Sequence, residues 1–311
     1  MIKRTVEISR EAVHLAVRHK QLVLKRNGEV VGVIPCEDLA MVVVDHPQTT
    51  YTHACLAALA ESDAALVVCG RDHLPSAVLL PLSDHSQVVW RVNDQIAVKK
   101  PVHKRLWKQL VQAKIRGQAD NLEADSLPRK KLLAYAADVR SGDPKNREAQ
   151  AARVYWKSWL IQPDGNVSDE QFRRTRDGAA PNLLLNYGYT IVRAAIVRAL
   201  VSSGLLPSLG IRHSHRANAF CLADDLIEPL RPMVDARVRE LYWDGQTELD
   251  QPTKAALLEV LADPVMTYGR QGPLMVALHT LTASLAKCYE GAADALEIPV
   301  PCRSADTVAC G

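Results

Sequence analysis

Aromatic residues and the common motifs of cysteine chemistry are scarce in this chain of 311 residues. Aromatic residues make up 5% of it, with only two Phe, so we expect a core built mostly of Leu, Val, Ile and Ala. The seven cysteines are scattered and form no C-x-x-C pair, which gives no sign of a zinc knuckle or a dithiol redox motif. Such cysteines are typical of small buried hydrophobic residues in a reducing compartment.

Long apolar runs are also missing. No window holds 18 consecutive apolar residues, so the sequence predicts no transmembrane helix. Met1 is followed by charged residues rather than by the apolar stretch of a signal peptide. We therefore expect a cytoplasmic protein without a membrane partner. Hydrophobic residues at 48% and charged residues at 23% are ordinary for a globular protein and argue against a mainly disordered chain.

Charge is unevenly distributed, although the net charge is only +3. Residues 96–176 hold 18 Lys and Arg against 9 Asp and Glu, whereas the segments on either side are slightly acidic. A basic block of this size is compatible with a solvated helix surface and with binding to phosphate groups. The charge count alone leaves both interpretations open.

Two hydrophobic periods divide the chain. Up to residue 95 the apolar residues form short β-branched runs, two of which flank the hairpin signal Asn27-Gly28. One short helix is predicted at His53 to Ser62. Beyond Val98 the spacing is helical, and Asp143-Pro144 has the form of a helix start. Helices are predicted over 103–122, from Asp143 to Trp159, and over 181–201, 220–242, 252–261 and 273–289.

These patterns predict an α+β protein with two domains and a tail. Residues 1–95 form a small β-rich domain, residues 96–298 form an all-helical domain, and residues 299–311 are expected to be disordered. The acids that fall within apolar helical patterns all lie in the helical part, which is where we look for chemistry.

Glu148 is the first of these acids. On a helix it shares a face with Ala151, Ala152 and Tyr155, so its carboxylate would be half-buried. A buried carboxylate needs a cation, a metal or a proton as its partner. The first turn of a helix also favours an acid through the helix dipole, and this simpler interpretation stays open.

Asp225 and Glu228 are the second group. They are three residues apart and share a helical face, about 4.5 Å apart along the axis, where two carboxylates repel each other unless a cation lies between them. With a His from the preceding loop, where His213 and His215 both stand, and a Glu from another helix, they would form a mixed oxygen and nitrogen site, which suits Mn²⁺ or Mg²⁺ better than structural Zn²⁺. The alternative is an ion-pair network with Arg231, and the spacing does not decide between the two.

Longer motifs around these acids carry a family resemblance. They are N-R-E-x-x-A-A-R-x-Y-W from Asn146, D-G-A-x-P-N-x-x-L-N-Y-G-Y from Asp177, and G-I-x-H from Gly210 followed by N-x-F-x-L-A-x-D-L-x-E-P-x-R-P from Asn218. Together they resemble the CRISPR-associated integrases, the endonucleases of spacer acquisition. The segments I-P-x-E-D-L-A from Ile34 and C-G-R-D-H-L-P-S from Cys69 look like the type II branch of that family.

The resemblance implies both a site and a reaction. It implies that Glu148, His213 and Glu228 are catalytic and bind Mg²⁺ or Mn²⁺, with Asp225 as a supporting acid. It implies insertion of new spacers into a CRISPR array, in which a 3′-hydroxyl attacks phosphodiesters at the edges of a repeat. A non-catalytic scaffold that bridges DNA is the alternative, and the intact set of three residues argues against it.

The resemblance also implies partners. The β-rich domain would form a homodimer, and two dimers would assemble around the small second CRISPR adaptation protein. The substrates would be double-stranded DNA, namely a spacer precursor and the CRISPR repeat, which gives the basic block a role as a phosphate-binding surface. Its candidate DNA contacts are Lys104, Arg105, Lys108, Arg153, Lys157, Arg173, Arg174 and Arg176.

Overall fold

The N-terminal part of the chain is built mainly of strands. A computed structural model describes residues 3–81, 85–162, 172–175 and 178–302. The first elements are β1 (Arg4–Ile8), β2 (His14–Arg18), β3 (Gln21–Arg26), β4 (Glu29–Pro35), β5 (Leu39–Val44), β6 (Thr50–Tyr51), α1 (His53–Glu61), β7 (Ala65–Cys69) and β8 (Pro75–Leu79). They form two four-stranded sheets, with strand orders β1-β5-β7-β8 and β4-β3-β2-β6.

Strand β5 lies between two hydrophobic cores. Its six residues are all buried, and it pairs in parallel with β1 and β7. Because successive side chains of a strand point to opposite faces, Met41 and Val43 pack into the larger core, which contains the helices, while Val42 and Val44 pack into a smaller core with α1 and β2. The two parts of the chain therefore share this strand.

The second part of the chain is mostly helical. Its elements are α2 (Val88–Ala97), α3 (Lys100–Asp120), α4 (Leu127–Asp138), α5 (Arg147–Ser158), α6 (Asn182–Ser202), α7 (Cys221–Leu226), α8 (Arg231–Trp243), α9 (Gln251–Glu259), β9 (Pro264–Thr267), β10 (Arg270–Pro273), α10 (Leu274–Tyr289) and β11 (Val300–Pro301). Helix α6 packs against α8, α9 and α10 and against strands β7 and β8. It is long and apolar enough to cross a membrane by composition alone, but 78% of its most apolar window is buried inside the protein, as expected of a core helix.

The α+β class is confirmed, and several elements lie where the sequence predicts them. The β3–β4 hairpin turns at Asn27 and Gly28, both with positive φ. Helix α1 begins at His53, and α6 begins directly after Pro181. The predicted domain boundary at residue 95 falls inside α2 and stays a prediction.

Three features differ from the sequence prediction. The helical part contains a three-stranded sheet in the order β10-β9-β11, whose last strand, Val300–Pro301, lies inside the predicted disordered tail. The helix predicted over 220–242 is two helices, because Pro229 and Pro232 interrupt the backbone hydrogen bonds between α7 and α8. Helix α5 begins at Arg147 instead of at Pro144.

Candidate active site

Two predicted site residues meet at a lysine. Nζ of Lys114, on α3, lies 2.6 Å from Oε1 of Glu148 and 2.5 Å from Oε2 of Glu228. Nε of Arg231 lies 3.0 Å from the other oxygen of Glu228. The side chains of Lys114 and Glu228 are only 12% and 8% exposed. Two carboxylates from segments eighty residues apart therefore share one buried cation.

Local backbone structure explains where the two carboxylates lie. The carboxylate of Asp143 accepts hydrogen bonds from the backbone N–H groups of Arg147 and Glu148, at 2.9 and 3.0 Å. The side chain of Asp143 thus caps α5, as the sequence predicted. It does so from four residues before the helix rather than from the position next to its first residue. Glu228 opens the 3₁₀ turn Glu228–Leu230 that Pro229 creates between α7 and α8.

A close approach brings α3 to this turn. A Cβ atom at Gly117 would lie 3.0 Å from Cγ of Pro232, so glycine is what lets α3 pack this tightly against the start of α8. Lys114 precedes Gly117 by about one helical turn, and its side chain therefore reaches both carboxylates.

His213 is fixed by Asp225 rather than by the two glutamates. Asp225 is fully buried, and its carboxylate accepts hydrogen bonds from the backbone N–H groups of Ile211, Arg212 and His213, at 2.5, 2.9 and 3.2 Å. Nδ1 of His213 lies 2.7 Å from Oδ1 of Asp225, and since a carboxylate only accepts, Nδ1 carries the proton. This leaves Nε2 as the nitrogen that could bind a metal or a substrate.

Backbone geometry supports this loop. A Cβ at Gly210 would lie 2.3 Å from the carbonyl oxygen of His213 and 2.8 Å from Oδ2 of Asp225, so no larger residue fits there without a rearrangement. The ring of Trp107, on α3, meets the His213 imidazole edge to face, with centroids 6.1 Å apart. The imidazole is thus held from two sides.

The charged groups shift each other's pKa values. Burial alone would raise the pKa of Glu228, but Arg231 and Lys114 together outweigh burial and lower it to about 2. Burial likewise opposes the charge of Lys114, but Glu228 and Glu148 raise the pKa of Lys114 above its usual value. The hydrogen bond to Asp225 raises the pKa of His213 against the effect of burial. Lys114 and Glu228 are therefore both ionised at neutral pH.

A cavity of about 270 Å³ lies beside Glu228 and Lys114. Lys114, Glu228, Arg231 and Tyr189 contribute to its lining, and the guanidinium of Arg231 lies 4.4 Å from the centre of the Tyr189 ring. The Tyr189 hydroxyl donates to Asp235, a further lining residue whose pKa burial raises to about 6.

Sequence reasoning missed Lys114 as a member of the site and treated it only as part of the basic block. A signal was present: Lys114 lies between Leu110 and Gln118, both buried and each four residues away on the same face of α3. A lysine at a position where the helical period places buried residues needs a carboxylate partner.

The predicted metal ligands fit a divalent cation by their chemistry. In the described ranges, no three His, Cys, Asp or Glu side chains lie close enough to hold one ion as they stand. The structure brings Glu148 and Glu228 onto one ammonium nitrogen, whereas His213 is held by Asp225. Oε2 of Glu228 is buried and lies 2.5 Å from Nζ of Lys114, its ion-pair partner. Carboxylate oxygens of this kind are the ligands that Mg²⁺ and similar divalent cations prefer.

The candidate DNA-binding residues fall into different settings. Arg153 and Lys157 are exposed on α5, the helix that carries Glu148. Arg105 makes an ion pair with Asp294 at 2.9 Å. Lys104 and Arg173 are exposed, and Lys108 is half-buried. Arg174 donates hydrogen bonds to Asn182 and Asn186. Arg176 lies outside the described residues.

Comparison with known proteins identifies relatives along most of the chain. The model of the family "CRISPR associated protein Cas1" matches residues 6–260. CRISPR-associated endonuclease Cas1 of Neisseria meningitidis serogroup C is 35% identical over 274 residues, which cover 87% of this chain and 87% of that protein. CRISPR-associated endonuclease Cas1 2 of Pyrobaculum aerophilum is 30% identical over 197 residues, or 59% of this chain and 64% of that one.

Solved structures agree on the fold. A casposase bound to its integration product superposes with a TM-score of 0.75 and 18% identity, covering 96% of this chain and 93% of that chain. A Cas1 protein from Thermotoga maritima superposes with a TM-score of 0.72 and 16% identity, covering 93% and 97%. At these identities the likeness shows a common fold.

The sequence matches define a class of CRISPR-associated proteins, and the shared fold agrees with them. Within that class, this chain belongs to the Cas1 family, which confirms the resemblance carried by its motifs.

Proposed function

We propose that this chain is a divalent-metal-dependent DNA integrase and endonuclease that inserts new spacers into a CRISPR array. The observation that carries the proposal is the meeting of Glu148 and Glu228 at one buried cation position. Two carboxylates directed at one point are what phosphoryl-transfer enzymes use to hold a metal.

Glu148, His213 and Glu228 would hold Mg²⁺ or Mn²⁺, and Asp225 would orient His213. When bound, the ion supplies Lewis-acid stabilisation of charge on the phosphoryl oxygens. The chain's own residues do the rest. Asp225 keeps the proton on Nδ1 of His213, so that Nε2 is available, and Arg231 neutralises part of the charge of Glu228. Direct attack by a 3′-hydroxyl needs no covalent protein intermediate.

Partners follow from the same family relationship. Among the structurally similar chains are components of a "Cas6-RT-Cas1--Cas2 complex", and the casposase is bound to an integration product. We propose that this chain, too, binds double-stranded DNA, that residues 1–95 form its homodimer, and that two dimers assemble around the small second adaptation protein in the cytoplasm. The exposed Arg153 and Lys157 are suited to contacting DNA phosphates, and such contacts position DNA without reading its sequence.

The test is a joining assay with the purified chain and its small partner. A supercoiled plasmid that carries a repeat is mixed with a short duplex DNA, with and without Mn²⁺. We expect Glu148→Gln and His213→Ala each to abolish joining while DNA binding persists, because each removes a ligand and leaves the basic surface unchanged. Glu123→Gln, an exposed acid in the loop before α4, is the matched control and should join like the wild type. Near-normal joining by either site variant would refute the assignment.

A non-catalytic scaffold that bridges DNA is the second candidate. The observation that favours it is the position of Lys114, whose ammonium group takes up the point between the two carboxylates. A scaffold would bind DNA and the partner protein in the same assay but give no joined product at any Mn²⁺ concentration.

A further inference from the structure

We infer that Lys114 is an internal counter-ion that competes with the divalent cation for Glu148 and Glu228. The inference rests on the proposed metal site and adds a residue that the site's ligands do not include. In this arrangement the ammonium group keeps the two carboxylates together while no metal is bound, and it must leave when an ion enters.

Distances carry the first step. Nζ of Lys114 lies 2.6 Å from an oxygen of Glu148 and 2.5 Å from an oxygen of Glu228. Oxygen ligands bind Mg²⁺ or Ca²⁺ at roughly 2.0 to 2.6 Å. An ion held by the same two oxygens would therefore fall at the position of this nitrogen, and the two cations cannot both occupy it.

Charge carries the second step. The cluster holds two carboxylates, Glu148 and Glu228, and two cations, Lys114 and Arg231, so it is neutral as it stands. A divalent ion added beside both cations would leave a buried excess of positive charge, which is costly in a site of low dielectric. Withdrawal of Lys114 relieves part of this excess, whereas Arg231 lies on the far oxygen of Glu228 and can stay.

The reach of Lys114 makes this withdrawal feasible. Its side chain is 12% exposed and lines the 270 Å³ cavity beside Glu228. A flexible side chain of four methylene groups can swing into this space without movement of α3. Metal affinity is then the intrinsic affinity of the ligands reduced by the cost of displacing the lysine.

The experiment measures metal binding on the full, metal-stripped chain without DNA. Mn²⁺ is titrated by isothermal calorimetry and by loss of its free electron paramagnetic resonance signal. We expect Lys114→Met, which keeps the length of the side chain and removes the charge, to bind Mn²⁺ at least tenfold more tightly than the wild type. It should also show a larger rise in thermal midpoint on adding Mn²⁺, because the metal-free variant leaves two carboxylates without their shared cation.

Two controls separate charge from position. Lys130→Met removes one positive charge from an exposed site on α4 and should leave Mn²⁺ affinity unchanged. Lys114→Arg keeps the competing cation and should bind no more tightly than the wild type. Lys114→Gln replaces the methionine variant if that variant fails to fold, and the same tightening is expected.

Equal or weaker Mn²⁺ binding by the neutral Lys114 variants would overturn the inference. So would tighter binding by Lys114→Arg. Failure of the proposed site itself is read from Glu148→Gln: if that variant binds Mn²⁺ like the wild type, the carboxylates are not ligands. If Glu148→Gln loses Mn²⁺ and Lys114→Met gains nothing, the site stands and only the competition is refuted.

Discussion

Replacing Asp225 with Asn tests how the His213 loop is held. The buried carboxylate accepts four hydrogen bonds, from the backbone N–H groups of Ile211, Arg212 and His213 and from Nδ1 of His213. The substitution keeps the size of the side chain but removes its charge. It also leaves a single acceptor oxygen, so donors now face an NH₂ group.

The expected cost follows from counting donors. Each oxygen of Asp225 serves two donors, so Asn deprives two of the four of their acceptor. A buried donor left without an acceptor costs about 1–3 kcal/mol, and Arg212 and His213 are exposed enough to find water. With the amide oxygen kept toward the buried Ile211 N–H, the donors that lose their acceptor are those of His213, and we expect a loss of about 1–3 kcal/mol in the free energy of unfolding, mainly from the lost charge-assisted hydrogen bond.

pH gives this prediction a second readout. Asp225 raises the pKa of His213, so the pair stabilises the fold fully below the pKa of an unfolded histidine, and the contribution disappears as pH rises through the folded value. The difference between wild type and Asp225→Asn should shrink from pH 6 to pH 8. The pKa of His213, followed by NMR of its ring protons, should fall in the variant.

Denaturant unfolding supplies the measurement, and Asp224→Asn supplies the control. Asp224 is the neighbouring acid, but its side chain is 22% exposed and pairs with Arg193 at 2.7 Å. Asp224→Asn can still accept from Nδ2 of Asn218, and both members of the ion pair keep contact with water, so its cost should be smaller, about 1 kcal/mol. If Asp225→Asn costs no more than Asp224→Asn, or if the pKa of His213 does not move, our account of the loop is wrong.

Two further predictions concern buried charges between the strands and the helices. Lys254→Met should cost about 3 kcal/mol in unfolding free energy, at the low end for a buried pair, since Asp45, whose side chain is 2% exposed, loses Lys254 but keeps Nδ1 of His73 at 3.0 Å. Adding Asp45→Asn should recover part of this loss in a double-mutant cycle, and strict additivity would contradict a direct pair. Burial raises the pKa of Glu7 to about 7, so the folded state holds its proton more tightly than the unfolded state and loses stability as pH rises from about 4.5 to 7. Glu7→Gln should therefore gain about 1 kcal/mol at pH 8, after allowance for its partial exposure, and nothing at pH 5; equal thermal shifts at both pH values would count against this.

Local signals explain the elements that the sequence predicted. Asn27-Gly28 fixes its hairpin because both residues tolerate a positive φ, and Pro181 marks the start of α6 because a proline directly before a helix gives up no helical hydrogen bond. Another hairpin, β9–β10, also turns through two residues with positive φ, but these are Tyr268 and Gly269. Tyrosine is not a turn residue by propensity, so the sequence did not reveal this hairpin.

Long-range contacts explain what the sequence could not show. The pairing of Val300 with Met266 joins segments far apart in the chain, and no local pattern predicts it. In the same way, the motifs indicated Glu148 and Glu228 separately, but only the packing of α3 reveals that Lys114 joins them. The sequence distance from Lys114 to either glutamate follows no helical or strand period, so it does not predict that they meet.

Strand β5 has a consequence for dissecting this protein. Its Met41 and Val43 side chains, with Ala65 and Val67 of β7, are part of the same apolar interior as the helices. A fragment beginning at residue 96 would lose this cover and present bare hydrocarbon to water, which favours aggregation. The helical part is thus not an autonomous folding unit, because its core is completed by side chains from the strands before it.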